Sequence, residues 1–124
     1  MRKIISTNNA PKAVGPYSQA IEANGTLYVS GQLPVNPTDG SVPEGIEAQT
    51  EQSLKNIGAI LTEAGYTYKD VVKSTVLLTD MNDFAAMNAV YARFYTEQMP
   101  ARVCYQVAKL PMGVKVEIET VAVK

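Results

Sequence analysis

Arg102 and Cys104 are the residues of this sequence whose types and spacing most directly suggest chemistry. They lie in the β-prone segment from Pro100 to Val107, where alternating side chains would put both on one side of a strand together with Gln106. A guanidinium among apolar residues needs an anionic partner, because burying an unpaired charge is costly. Arginine can grip a carboxylate through two parallel hydrogen bonds. The segment therefore predicts a carboxylate-binding site.

The carboxylate bound there could belong to the protein or to a ligand. Glu117 and Glu119 share one side of the last predicted strand, so their spacing does not show which of them has the functional role. A structural ion pair between Arg102 and one of these glutamates is one interpretation, since charged pairs are often structural. A ligand carboxylate is the other, and it is the one that bears on function.

The composition excludes several kinds of catalysis. The chain of 124 residues has no histidine, which removes Ser-His-Asp and Cys-His mechanisms and most zinc sites. Cys104 is the one cysteine, and without a histidine to deprotonate it we expect a small apolar residue and not a nucleophile. No glycine-rich nucleotide motif follows a strand. We expect no metal and no organic cofactor.

The charge balance gives expectations about partners and location. Lys and Arg number 11 against 12 Asp and Glu, and a net charge of −1 offers no support for binding a phosphate backbone. The first residues show no long apolar segment, no cleavage pattern and no membrane span. We expect a cytoplasmic protein with no nucleic-acid partner and no membrane partner.

Strand and helix patterns predict a single α+β domain over residues 1–124, in the order β-β-β-α-β-α-β-β. An apolar stripe from residue 46 to 64 predicts a helix that Gly65 ends. A second helix, with Phe84 and Tyr91 on its apolar side, is expected to run to about Glu97. Asn24 and Gly25 suit a hairpin turn. The strands are expected at 2–5, 18–22, 26–30, 70–79, 101–107 and 114–123.

Two helices can cover one face of such a mixed six-stranded sheet. The other face is expected to carry Arg102, Cys104, Gln106, Glu117 and Val121, a set too apolar for solvent and too polar for a core. We therefore expect a homo-oligomer whose sheets face inward, with sites where subunits meet.

Four segments resemble motifs of the RidA/YjgF family of reactive-intermediate (enamine/imine) deaminases. They are Val14-Gly-Pro-Tyr-Ser-Gln-Ala20, Leu27-Tyr-Val-Ser-Gly-Gln-Leu-Pro34, Pro100-Ala-Arg-Val-Cys104 and Val116-Glu-Ile-Glu119. The resemblance runs from Ile4 to Val123. It implies a chorismate-mutase-like fold, assembled as a homotrimer with three sheets around a central barrel and pockets in clefts between subunits.

The resemblance also implies roles for individual residues. Arg102 would hold the substrate carboxylate, Glu117 would orient the attacking water, and Cys104 would line the pocket. The other pocket residues implied are Tyr17, Ser30, Gly31, Asn88 and Val103. Many members carry serine in place of Val103, whose side chain is expected to point away from the cleft. Met112-Gly113 is a second departure from the family pattern, and it is expected at the rim of the pocket.

On this resemblance we expect a cofactor-independent 2-iminobutanoate/2-iminopropanoate deaminase. It would hydrolyse 2-aminoacrylate-type enamines and 2-imino acids to 2-keto acids and ammonia. Two other functions stay open. One is a binding or regulatory module that holds a keto or amino acid in the same pocket. The other is an endoribonuclease or translation inhibitor, since ribonuclease activity is attributed to some family members.

Overall fold

The structure, a computed structural model, describes residues 1–124 as two α-helices and six β-strands. Their order along the chain is the predicted β-β-β-α-β-α-β-β. The strands are β1 (Arg2–Ile5), β2 (Ala20–Ala23), β3 (Thr26–Gln32), β4 (Val71–Leu78), β5 (Ala101–Gln106) and β6 (Val116–Val123), and the helices are α1 (Ile46–Ala64) and α2 (Phe84–Phe94). Neither helix combines the length and the apolar content needed to cross a membrane.

The six strands form one mixed sheet in the order β1-β2-β3-β6-β4-β5. Strands β4 and β5 run parallel, and the other neighbouring pairs run antiparallel. The parallel pair is connected through α2, because a chain needs a crossover to start a parallel neighbour. The last strand, β6, lies inside the sheet between β3 and β4, whereas β5 lies at an edge.

Both helices pack on one face of the sheet and enclose the hydrophobic core. Helix α1 buries Leu54, Ile57 and Leu61, which are at most 1% exposed and recur at the helical spacing. Strand β6 buries Val116 and Ile118 completely on the same side of the sheet. Each such side chain contributes about 1.5–3 kcal/mol by leaving water. This burial fixes the register of β6, because a slip by one residue would turn the apolar set outward.

The opposite face of the sheet, which we call the open face, has no helix over it. It presents Glu117 and Glu119 of β6 and five apolar side chains that are between 44% and 66% exposed. These apolar residues are Ile4, Tyr28, Val103, Tyr105 and Val123. A group of exposed apolar side chains on one surface is typical of a contact surface. The prediction of one uncovered, partly apolar sheet face is confirmed.

Three residues that were expected on the open face lie on the helix side. Arg102, Cys104 and Gln106 pair in register with three fully buried residues of β4, and neighbours in a sheet point to the same side. The prediction that the three share one side of their strand is confirmed, but the predicted face was wrong. Alternation shows which side chains go together and does not show which face they take. Glu117 and Val121 do lie on the open face.

Helix α2 ends at Phe94, three residues before the predicted end at Glu97. Tyr95 leaves helical geometry, with φ −122° and ψ 89°. Its ring turns inward, is 3% exposed and lies 4.7 Å from the ring of Tyr91. Burying this large ring against its neighbour stabilises the early end of the helix.

The hairpin between β2 and β3 turns at the predicted residues. Asn24 and Gly25 have φ of 52° and 79°, the left-handed pair that a two-residue hairpin loop requires. Strand β2 begins at Ala20, whereas the sequence predicts a start at Ser18. The carbonyl of Ser18 accepts the hydroxyl of Ser30, so this part of the chain serves as a loop that is tied to β3.

Candidate functional site

A cleft of about 890 Å³ opens where the end of β3 lies beside β6. Its wall combines the loop before β2, the end of β3, the loop after β3 and the turn before β6. Four of the predicted site residues line it: Tyr17, Ser30, Gly31 and Glu117. A volume of this size suits a drug-sized ligand, so a four-carbon acid would occupy only part of it.

Hydrogen bonds hold the loop before β2 against the end of β3. The Ser30 hydroxyl donates to the Ser18 carbonyl at 2.6 Å, and the Ser30 N–H donates to the Gln19 carbonyl at 2.9 Å. The Tyr17 hydroxyl accepts the N–H of Val14 at 3.3 Å. The Tyr17 side chain stays half exposed and lines the cleft instead of packing into the core.

Gln19 is a buried residue of this wall that was not predicted from the sequence. Its Nε2 donates to the carbonyls of Thr7 and Pro11 at 3.0 Å and 2.8 Å, and its Oε1 accepts the Thr7 N–H at 2.7 Å. These bonds join the loop to the segment after β1. A glutamine within the Gly-Pro-Tyr-Ser-Gln run was the signal available, since a buried amide must find partners.

Gly31 lies directly against the Glu117 carboxylate. A Cβ placed on Gly31 would overlap Oε2 of Glu117 and would stand 3.0 Å from its Cδ. Glycine in a strand often marks such a close approach. At this position the lack of a side chain leaves room for the Glu117 carboxylate beside β3.

Burial raises the pKa of the Glu117 carboxyl, and the negative charge of Glu119 raises it further. Both ion pairs of the structure lie elsewhere, between exposed side chains, so no cation of the same chain neutralises Glu117. A carboxylate whose pKa is raised is a better proton acceptor than an ordinary exposed one. The environment therefore suits Glu117 to activate a water molecule.

Arg102 lies at the sheet edge, between β5 and α2. Its Nη1 donates to Oδ1 of Asn88 at 2.7 Å. The guanidinium carbon is 4.9 Å from the ring centre of Tyr91 and 5.6 Å from that of Phe84. No carboxylate lies within ion-pair distance of it. Within one chain, Arg102 forms no structural ion pair with Glu117 or Glu119, because the arginine and the glutamates lie on opposite faces of the sheet.

Cys104 lies two residues after Arg102, partly buried on the same side of β5. Burial raises the pKa of its thiol, and the charge of Arg102 only partly opposes that effect. A thiol with a raised pKa is a poor nucleophile at neutral pH. This environment supports a role for Cys104 in lining the site.

The predicted site residues thus fall into two separate groups. We call Asn88, Arg102 and Cys104 the arginine half-site, and Tyr17, Ser30, Gly31 and Glu117 the glutamate half-site. The first lies on the helix side at the β5 edge, and the second lies in the cleft on the open face. The Val103 side chain is on the open face, opposite to that of Arg102 as expected. One chain does not bring the two half-sites together.

The two half-sites offer complementary chemistry. The arginine half-site can bind a carboxylate through a guanidinium that has no counter-carboxylate, and the glutamate half-site can accept a proton. No three His, Cys, Asp or Glu side chains cluster as metal ligands. Phe84 and Tyr91 belong to the surroundings of Arg102 but were predicted only as apolar helix residues. Their spacing from Asn88, four and three residues along one helix, was the signal available.

The chain is similar to known proteins over its whole length. A family model described as endoribonuclease L-PSP matches residues 7–124. The 2-iminobutanoate/2-iminopropanoate deaminase of Escherichia coli strain K12 is 50% identical over 127 residues, covering 100% of this chain and 99% of that protein. The protein of that name from Mus musculus is 50% identical over 125 residues, covering 100% and 93%. A RutC family protein of Pyrococcus horikoshii is 53% identical over 125 residues, covering 100% and 99%.

Solved structures show the same architecture. The E. coli YjgF gene product superposes with a TM-score of 0.96 at 49% identity, covering 98% of each chain. E. coli TdcF, solved with bound serine, gives a TM-score of 0.96 at 46% identity, again covering 98% of each chain. The six-stranded mixed sheet with two helices is therefore shared throughout.

Proposed function

The chain belongs to the endoribonuclease L-PSP family, whose RidA/YjgF motifs it carries, and on that premise we propose that it is a 2-iminobutanoate/2-iminopropanoate deaminase. It hydrolyses 2-imino acids and their 2-aminoacrylate-type enamine tautomers to 2-keto acids and ammonia, without a cofactor. The observation that carries this proposal is the full-length identity of about 50% to relatives that bear the name. The guanidinium of Arg102, held without a counter-carboxylate, supports a carboxylate substrate.

Substrate binding rests on Arg102. Two parallel N–H···O bonds from the guanidinium fix both oxygens of the substrate carboxylate. The imine carbon is bonded to that carboxylate carbon, so gripping the carboxylate also fixes the position of the reacting carbon. Holding the reactants in place in this way removes a large part of the entropic barrier to attack.

Glu117 carries out the proton transfers. It accepts a proton from a water molecule as the water oxygen bonds to the imine carbon, and the C=N electron pair moves to nitrogen. Glu117 passes this proton to that nitrogen, which gives a carbinolamine. Glu117 then takes the proton of the new hydroxyl group and delivers it to the amino nitrogen, so the C–N bond breaks, ammonia leaves and the oxygen electrons form the carbonyl. General-base assistance of this kind contributes about 10²–10⁴-fold. Imines already hydrolyse in water, so this assistance together with positioning is sufficient.

The two half-sites meet, in this proposal, between neighbouring copies of a homotrimer. Strand β5 presents the arginine half-site at a free sheet edge, where a second copy can approach. A contact that joins this edge of one copy to the cleft of the next uses two different patches, and such contacts form a closed ring when the rotation between copies is a whole fraction of a turn. Three copies around an axis would give three clefts, with the open faces turned inward to bury their apolar side chains.

A dehydratase-coupled assay tests the chemistry. A pyridoxal-phosphate dehydratase generates the enamine in the presence of this protein, and keto acid release is followed against the uncatalysed rate. Arg102→Ala should lose at least about 100-fold in kcat/KM, and Arg102→Lys should recover little, because an ammonium lacks the planar fork. Glu117→Gln should lower kcat while it keeps keto acid binding, with Glu119→Gln as the matched control. A wild-type rate equal to the uncatalysed rate would refute the proposal.

Mixed assemblies test whether sites are shared. Arg102→Ala and Glu117→Gln chains, each strongly impaired alone, are co-expressed so that they assemble at random. If each site takes its arginine from one copy and its glutamate from the next, about a quarter of the sites are intact and activity returns. Activity would stay absent if both residues served the same chain's site. Sedimentation of the wild type should give a trimer at micromolar concentration, and a monomer would contradict the assembly.

The alternative function is a binding module for amino or keto acids, and one observation favours it. The related E. coli TdcF structure holds serine, an amino acid that is not an imine. A wild-type protein that binds serine or 2-oxobutanoate but leaves imine hydrolysis unaccelerated would support this alternative. The same preparations incubated with RNA test the endoribonuclease activity that the family description names. A cytoplasmic location stays a prediction.

A further inference from the structure

We propose that Phe84 and Tyr91 are positioning residues that form an aromatic clamp for Arg102, a role that rests on the function proposed above. Helix α2 presents Phe84, Asn88 and Tyr91 to the guanidinium at relative positions 0, 4 and 7, which share one helix face. One face of two helical turns thus supplies the hydrogen bond and both ring contacts of the guanidinium.

The clamp solves a problem that a carboxylate partner would create. A carboxylate beside Arg102 would hold its side chain in place, but it would also occupy the donors and neutralise the charge that the substrate needs. An aromatic face attracts a cation through its quadrupole and does not occupy any N–H donor of the guanidinium. Asn88 takes a single donor, from Nη1, at 2.7 Å. The guanidinium is therefore oriented while its charge and its remaining donors stay available to a carboxylate ligand.

Tyr91 is well placed to act as the fixed part of the clamp. It is 7% exposed, and its ring lies 4.7 Å from that of Tyr95. The ring of Tyr95 in turn meets Tyr68 edge-on at 5.7 Å. Ser74, which pairs in register with Arg102 on β4, is fully buried beneath this group. Because its neighbours are packed, the Tyr91 ring cannot swing away and holds the guanidinium at a set position.

Four variants test the clamp. Phe84→Leu and Tyr91→Leu each remove one ring but keep an apolar side chain, and Tyr91→Phe keeps the ring and removes the hydroxyl. Phe94→Leu is the matched control, since it removes a ring of the same helix that contacts Tyr68 and does not contact the guanidinium. Calorimetry measures the Kd of 2-oxobutanoate, and the coupled assay measures KM and kcat.

Loss of either clamp ring should weaken 2-oxobutanoate binding and raise KM by similar factors, up to about tenfold, with kcat changed by less than about threefold. Tyr91→Phe and Phe94→Leu should bind 2-oxobutanoate like the wild type. A purely structural role would instead lower the melting temperature of the Leu variants and leave the Kd of the folded protein unchanged. Wild-type Kd and KM in both folded Leu variants would overturn the clamp, and so would an equal loss in Phe94→Leu.

Failure of the clamp and failure of the deaminase function are distinguishable. Calorimetry measures keto acid binding in the absence of turnover. This measurement therefore tests the clamp even if the wild-type protein does not hydrolyse imines. If the wild type hydrolyses imines and the folded Leu variants bind 2-oxobutanoate with unchanged Kd, the clamp is refuted and the deaminase function stands.

Discussion

Replacing Gly31 by alanine tests whether the position of Glu117 controls activity. The φ of Gly31 is not in the left-handed region, so alanine is compatible with the backbone at this position. The added methyl group would overlap Oε2 of Glu117 and stand 3.0 Å from Cδ. The carboxylate is therefore the group that must move.

The size of that movement follows from contact distances. Carbon atoms in good contact lie about 3.5–4.0 Å apart, so the carboxylate must shift by about 0.5–1 Å. A misplacement of about 1 Å can cost roughly 10²-fold in rate. We expect Gly31→Ala to lower kcat by about 10–100-fold. The free energy of unfolding should change by less than about 1 kcal/mol, because the group displaced is the end of a flexible side chain.

The dehydratase-coupled assay gives kcat, and urea denaturation gives the free energy of unfolding. A double-mutant cycle shows whether the effect acts through Glu117. In a Glu117→Ala background there is no carboxylate to displace, so Gly31→Ala should cause no further loss. The reasoning is refuted if Gly31→Ala keeps wild-type kcat while folded, or if its full effect persists in the Glu117→Ala background.

Three further substitutions probe other parts of the molecule. Glu119→Gln should move the acidic limb of the kcat/KM profile to lower pH, because Glu119 raises the pKa of Glu117, whose ionised form is the base in the proposed mechanism. An unmoved limb would contradict this coupling. Cys104→Ser should keep turnover within about threefold, and mass spectrometry should detect no substrate adduct on wild-type Cys104; an adduct would establish covalent catalysis. Met112 has φ 62°, so Met112→Gly should raise the free energy of unfolding by about 1 kcal/mol in a urea titration; a lower value would mean that side-chain packing outweighs the strain.

The order of elements could be predicted because it depends on local pattern. The spacing of Leu54, Ile57 and Leu61 specifies a buried helix face, and the alternation along β6 specifies a strand with one buried side. The hairpin turn follows from the tolerance of Asn24 and Gly25 for positive φ. These features need no knowledge of distant contacts.

The face taken by Arg102 could not be predicted in this way. Parity along β5 groups Arg102 with Cys104 but does not say whether that group meets the helices or the open face. The answer depends on α2, which brings Asn88 and two aromatic rings to the sheet edge. The placing of Arg102 and Glu117 in one site came from the family resemblance, and a single chain cannot provide that site.

Strand β5 at the sheet edge has a consequence for how activity appears over time. In the proposed assembly, the arginine half-site on that edge works with the glutamate half-site of another copy, so a newly folded chain is complete in structure but has no working site. In a refolding experiment, secondary structure should return at a rate independent of protein concentration, whereas deaminase activity should lag and return faster as the concentration rises, because subunit assembly is concentration-dependent. Diluting the assembled protein below its dissociation constant should then extinguish activity while every chain stays folded.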